Sequence, residues 1–415
     1  MMAVDATAAR LPRHAEKALP VQAPVGVRAL LGLLMAVGLV TFVTEVKSDP
    51  TEAYAAFLIN HFVFLGLPLA GMLFIAIHYL TGSIWSVAVR RVAESFTSYL
   101  PIAFLAFLVL AFGVPLFAPS GLSQVYVWSA PEAAHATREG YIAATKGGWL
   151  SPSYWVARNL VYLAIWSFFG WKLVRNSLQQ DAERGEELTR RNLKLAAPYG
   201  ILFGLTVTFA GFDLLMSLEP TWFSTIFGVY CFAGIWQAAL AAIAVVTILL
   251  RRQGALDGIV TRAHYHDLGK YLIAFSIFWT YIAFSQVMLI WYANLPEEVG
   301  WMNHRIFTGW GTVGILVGVL RFAIPFFVLL HQKLKENEIV LLAVAVGVLL
   351  GHWLDIYWIV LPALSPEKVV FGWTELGITL GFLGLFAWRV LSFLSRHPVA
   401  PSGDPLYFSS VRFHG

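Results

Sequence analysis

Apolar residues gather along the chain into ten long blocks parted by shorter polar stretches. A helix needs about 20 apolar residues to cross a bilayer. The blocks therefore predict spans at 25–44, 57–80, 99–118, 153–175, 195–218, 222–250, 268–292, 305–331, 338–363 and 372–394. The expected fold class is all-α integral membrane, and an even number of spans places both termini on one side. The first 24 residues are polar, and the block after them has no small-residue cleavage pattern, so the first span is expected to be an uncleaved anchor.

Two blocks carry an acid deep inside. Asp213 and Asp355 each stand seven residues before a proline, in Asp-Leu-Leu-Met-Ser-Leu-Glu-Pro (213–220) and Asp-Ile-Tyr-Trp-Ile-Val-Leu-Pro (355–362). A carboxylate at mid-membrane costs about 2.5–3.5 kcal/mol on insertion scales, so such a residue faces a polar cavity or a partner. Grouping spans 2–5 and 6–9 as four-helix units puts each Asp in the last helix of its unit. That is a parallel repeat, with spans 1 and 10 outside it. The expected division is 1–24 N-terminal tail, 25–56 first span and outer loop, 57–218 first four-helix bundle, 219–363 second four-helix bundle, and 364–415 tenth span and C-terminal tail.

Composition agrees with this pattern: 58% of the 415 residues are hydrophobic, only 13% are charged, and mean hydropathy is +0.70. The basic residues set orientation. Of the 28 Lys and Arg, 21 fall on the side of the termini, against Lys47, Arg138, Lys146, Arg305 and Lys368 on the other, while Arg158 and Arg321 lie within spans. The termini are therefore expected in the cytoplasm. Topology accounts for the pI near 9.1, and no nucleic-acid partner is implied. The single cysteine, Cys231, excludes an all-cysteine iron–sulfur cluster, a Cys-x-x-Cys-His haem attachment and an internal disulfide in this chain. Loop 176–194 reads as a solvated inner helix, and the long outer loop 119–152 as an ordered cap.

The polar residues inside the spans are the candidate chemistry. At 1.5 Å per residue, Asp213 and Asp355 lie roughly 10 Å below the outer surface. His352 shares a helix face with Asp355. His61 and Arg158 lie near the same surface, while Glu219, Glu297, Glu298, His304, Arg305 and Glu375 ring the outer mouth. His61, Arg158, Asp213, His352 and Asp355 suit a quinone-type site, where carboxylates accept the protons released by quinol oxidation. The alternative is that Arg158 and Asp213 form an interhelical brace. An inner trail of His264, His266, Asp267, Lys270, Tyr281, Ser285, Gln286 and Arg321 is a candidate proton path. Pro325, four residues after Arg321, is expected to kink span 8 and free a carbonyl near the guanidinium. Gly-xxx-Gly pairs at 314–318, 347–351 and 377–381 permit close helix approach. No metal ligand set is expected, and the depths of His61, His78, His331 and His352 do not match as paired haem ligands.

Three strings carry a family resemblance: Phe-Asp-Leu-Leu-Met-Ser-Leu-Glu-Pro-Thr-Trp-Phe-Ser-Thr-Ile-Phe-Gly-Val-Tyr (212–230), His-Asp-Leu-Gly-Lys-Tyr-Leu-Ile-Ala-Phe (266–275), and Phe-Trp-Thr-Tyr-Ile-Ala-Phe-Ser-Gln (278–286) with Ile-Trp-Tyr-Ala-Asn-Leu-Pro-Glu-Glu (290–298). Together they resemble the second multi-span subunit of alternative complex III, the bacterial quinol:cytochrome c oxidoreductase, within the polysulfide-reductase-type (NrfD-like) membrane family. The resemblance spans nearly all ten blocks. It implies two four-helix bundles with flanking helices in a bacterial cytoplasmic (inner) membrane. It also implies a paralogous ten-span subunit, an iron–sulfur subunit, a multihaem cytochrome c subunit, small membrane anchors and a terminal oxidase as partners, besides lipids. Haem c and iron–sulfur clusters would sit in those partners; this chain would bind no redox cofactor beyond a quinone or quinol. Quinol-oxidising relatives carry His after the motif Trp, where this chain has Phe223. That departure favours the paralogous subunit as the main quinol site and leaves this chain an accessory, proton-conducting or structural half. A proton-coupled secondary transporter and a purely structural anchor are the competing expectations.

Overall fold

The structure, a computed structural model, describes residues 18–113, 120–129 and 146–413; half of the outer loop expected to form a cap, including Arg138, lies outside the described residues. Every regular element among them is helical. The long helices are α1 (Val25–Ser48), α2 (Pro50–Thr81), α3 (Val87–Phe96), α4 (Leu100–Phe112), α5 (Pro152–Glu183), α6 (Glu187–Leu214), α7 (Phe227–Arg252), α8 (Arg262–Ala293), α9 (Pro296–Ile306), α10 (Trp310–Gly318), α11 (Ile324–Leu329), α12 (Glu338–Val360) and α13 (Trp373–Leu394). Among the described residues, nine helical segments are long and apolar enough to cross a membrane: α1, α2, α3 with α4, α6, α7, α8, α10 with α11, α12 and α13. This is the architecture of a multi-pass membrane protein. The predicted span 153–175 lies in α5, which has 32 residues but carries more polar side chains than the nine.

α2 and α7 form the centre, each buried along most of its length. They pack on one another; α2 also meets α6 and α12, and α7 also meets α6, α8 and α12. α2 and α7 are the first helices of the two expected four-helix units. α1 and α13 pair outside this centre. They approach backbone to backbone: a Cβ on Gly381 would lie 2.7 Å from the Gly38 Cα. Gly377–Gly381 is thus used for contact, as small-xxx-small pairs are in lipid.

Two stretches expected as loops are helical. In 81–98, α3 is buried at every position although it carries Arg90, Arg91 and Glu94. Its charges pair within the helix and with acids far along the chain: Arg91 Nη1 lies 2.6 Å from Glu94, while Arg90 Nη2 lies 2.6 Å from Asp404 and Arg91 Nη2 2.5 Å from Asp181. The C-terminal segment folds over α3, with the Ser410 hydroxyl accepting from Ala88 N–H and donating to the Trp85 carbonyl. Consequently the third membrane-length segment runs 87–112 rather than 99–118. Likewise α9 occupies the start of the expected span 305–331, and the apolar segment begins at Trp310.

Candidate functional site

Besides the pairs made by α3, two buried Arg–Asp pairs lie deeper in the molecule, one between α5 and α6 and one between the α10–α11 segment and α12. In the first, Asp213 sits one residue from the end of α6 and Arg158 in the second turn of α5. The guanidinium is bidentate, with Nη2 2.6 Å from Asp213 Oδ1 and Nε 3.0 Å from Oδ2. Its third nitrogen, Nη1, donates to the Trp149 carbonyl at 3.0 Å, and its plane lies between the rings of Trp149 and Tyr154 at 4.0 and 4.4 Å. Tyr162 donates to Asp213 Oδ2 at 3.3 Å. The Asp213 carbonyl accepts from Trp155 and Ser217, closing the helix end. The described part of the outer loop adds Tyr126, which donates to the Leu214 carbonyl, and Trp128, which donates to that of Ser217. Every donor of Arg158 that reaches a partner is used in tying α5, α6 and the outer segment together.

The second pair differs. Between α10 and α11 the chain makes one π-helical turn, Val319–Ala323, with Arg321 at its centre. Pro325 has no N–H to give the carbonyl four residues back, so the Arg321 carbonyl is free of the helix ladder. Gln237 of α7 fills that place, its amide donating to the Arg321 carbonyl at 2.8 Å while its Oε1 accepts from Arg321 Nε at 2.9 Å. The same Gln237 amide donates to Ser276 Oγ of α8 at 2.8 Å. Arg321 Nη1 bonds Asp355 Oδ2, Tyr230 donates its hydroxyl to Asp355 Oδ1, and Arg321 Nη2 donates to the Gly234 carbonyl at 3.1 Å. The Trp279 ring lies under the guanidinium at 4.2 Å. A continuous polar string therefore runs Ser276–Gln237–Arg321–Asp355–Tyr230 through the interior of the second unit, almost wholly closed to the outside.

His352 stands beside this string, near Gly234 and the Arg321 guanidinium. Neither of its ring nitrogens has a hydrogen-bond partner among the described residues, and it does not bond Asp355. His61 on α2 is equally buried and without a partner for either nitrogen, its ring 6.4 Å from that of Phe107. The neighbouring Asn60 accepts from Trp353 Nε1 of α12 at 3.1 Å, linking the two units at this level.

The inner trail is less continuous. Arg321 belongs to the Asp355 cluster. Tyr281 is 63% exposed on the outer surface of α8, Ser285 is half-buried, and Gln286 is buried with Oε1 unpartnered among the described residues. At the start of α8, Lys270 pairs with Asp267 at 2.8 Å and His266 faces Glu336 at 3.7 Å. Tyr230, Gln237, Ser276 and Trp279 are the members of the string that the hydropathy pattern did not single out. Gln237, an amide in the middle of an apolar run, was the available signal.

At the outer mouth, Arg305 of α9 bonds Glu219 at 2.6 Å and donates to the Ile359 carbonyl at 2.7 Å, one turn beyond Asp355 on α12. Burial pulls the Arg305 guanidinium below its ordinary value, and Glu219 opposes that pull. Trp222 stacks on Trp301 at 4.3 Å. Phe223 is 57% exposed under the Lys146 ammonium at 5.6 Å. Glu297 and His304 are exposed, whereas Glu375 is buried and accepts from Gly372 N–H at 2.8 Å. No group of His, Cys, Asp and Glu among the described residues is arranged to hold a metal ion. In comparisons with known proteins, the chain matches no family model and no curated protein.

Proposed function

We propose that the chain is an accessory integral membrane subunit of a quinol-oxidising respiratory complex of the alternative complex III type, and that its second unit exchanges protons at Asp355. The observation that carries this reading is the enclosed string Ser276–Gln237–Arg321–Asp355–Tyr230 with His352 unpartnered beside it. Ionisable groups are retained inside membrane helices chiefly where charge or protons must pass. Here Asp355 is linked through bonded side chains toward the inner half and, through α12 and Arg305, toward the outer mouth. Asp213, closed in by Arg158 and four helix-end contacts, acts as the brace of the first unit.

The resemblance of 212–230 and 266–298 supports the respiratory setting, and the basic bias supports ten spans with cytoplasmic termini in a bacterial inner membrane. Phe223 in place of histidine supports an accessory role, with the main quinol site, haem c and iron–sulfur clusters in the partners. A proton-coupled secondary transporter is the second reading, and one observation favours it: the membrane segment holding Arg321 is interrupted by a π-helical turn next to a buried carboxylate.

Purification in mild detergent separates the two. The respiratory reading expects haem- and iron–sulfur-containing chains to copurify and quinol-dependent electron transfer to fall, or proton release to drop, in Asp355→Asn. A chain that purifies alone and moves a solute with protons would replace this reading with the transporter.

A further inference from the structure

A surface groove lies away from the Arg158–Asp213 and Arg321–Asp355 pairs, between the start of α4, the second half of α5 and the end of α13. Its volume is about 1160 Å³. Along α5 it runs from Gln179 to Ser167, roughly 18 Å at 1.5 Å per residue. That is close to half of a hydrocarbon core of about 30 Å. The groove therefore belongs to a single leaflet, the one on the side of the C-terminal segment. A transmembrane helix from another protein would ask for a strip of full membrane thickness.

Polarity changes along its length. Away from the C-terminal segment the walls are apolar, with Phe104, Leu105 and Trp171. Toward it stand Arg175, Arg389 and His397. Arg389 is oriented by its Nε, which donates to the Ser98 carbonyl at 2.8 Å. Arg175 is exposed, its guanidinium 5.1 Å from the Trp171 ring. Neither arginine forms an ion pair with any described residue, whereas Arg90 and Arg91 of α3 both do. His397 is held below its ordinary value by burial and by the nearby Arg91 and Arg396, so the positive charge at the mouth comes from the arginines.

We propose that this groove binds one anionic phospholipid, its phosphodiester between Arg175 and Arg389 and an acyl chain laid along Trp171, Phe104 and Leu105. Guanidinium groups bind phosphate oxygens in paired hydrogen bonds, and basic groups between membrane helices at the leaflet surface are suited to anionic headgroups. The inference needs only membrane insertion and is independent of the respiratory reading.

The test uses the full chain, or the complex if it copurifies, delipidated in neutral detergent and titrated with phosphatidylglycerol or phosphatidylcholine, with bound lipid counted by native mass spectrometry. Wild type is expected to retain one phosphatidylglycerol in preference to phosphatidylcholine. Arg175→Gln with Arg389→Gln should weaken that binding by about tenfold or more, and Arg175→Lys with Arg389→Lys should largely restore it. If the double glutamine variant does not fold, Arg175→Gln alone, at an exposed site, should still weaken binding severalfold. Equal retention of the two lipids by wild type, or an unaltered preference in the glutamine variants, would overturn the proposal. So would a photocrosslinker at Phe104 that captures a protein rather than lipid.

Discussion

Arg158 and Arg321 both hold a carboxylate, yet their remaining donors go to different places. Arg158 gives its last nitrogen to a loop carbonyl and its faces to two aromatic rings, which fixes an outer corner. Arg321 gives its donors to Gln237 and Gly234 of the central helix, which makes the second carboxylate part of a chain. Replacing a buried ion pair by apolar residues of similar volume is often neutral, whereas removing one partner costs about 3–5 kcal/mol. Asp213→Asn alone should therefore lower stability by about 3 kcal/mol, while Arg158→Met with Asp213→Leu should recover most of it and leave proton release intact. The matching pair in the second unit, Arg321→Met with Asp355→Leu, should fold and lose proton release. Chemical unfolding together with proton release in vesicles distinguishes these outcomes. Both acids and both arginines could be found in the sequence because a charge in an apolar run stands out. Tyr230 and Ser276 could not, since a single hydroxyl in such a run commonly bonds its own helix, and the Gln237 amide was the one signal of the string they belong to. Only the packing of α7 between α8 and α12 turns them toward one another.

Helix scale explains how the second cluster is accommodated. A Cβ on Gly351 of α12 would lie 2.7 Å from Arg321 Cγ, so the arginine stem passes where that glycine leaves room. Gly351→Ala should displace Arg321 and impair proton release more than it lowers the melting temperature. Gly381→Ala tests packing alone: with backbone rather than side chain opposite, it should part α1 from α13 and cost about 1–3 kcal/mol without changing the proton chemistry. The freed carbonyl at Arg321 was legible from Pro325, because a missing N–H four residues on is a local property. α3 was not legible as a buried helix. Val-Ala-Val-Arg-Arg-Val-Ala-Glu-Ser-Phe looks like a solvated loop until Asp404 and Asp181 are brought to it from distant parts of the chain. Asp404→Ala should accordingly destabilise the inner face by about 3 kcal/mol, read by earlier proteolysis of the C-terminal segment.

For the whole molecule, α2 meets α7 at the centre, while the Arg158–Asp213 pair ties α5 to α6 and the Arg321–Asp355 pair ties the α10–α11 segment to α12. Ten blocks of apolar sequence were enough to anticipate an all-helical, multi-pass chain. The edges of the third and eighth segments shifted because α3 and α9 carry buried charges whose partners hydropathy does not see. The two pairs are set differently: Arg158–Asp213 is locked at a corner by a loop carbonyl and two rings, and Arg321–Asp355 is bonded into the interior through Gln237. The most direct test is proton release during quinol oxidation by the purified complex in sealed vesicles, comparing Asp355→Asn with Asp213→Asn at equal folded protein. The account predicts that the ratio of protons released to electrons transferred falls, or turnover itself slows, in Asp355→Asn, while both stay at the wild-type value in Asp213→Asn. Unchanged turnover and proton release in Asp355→Asn would show that the second pair is a brace like the first.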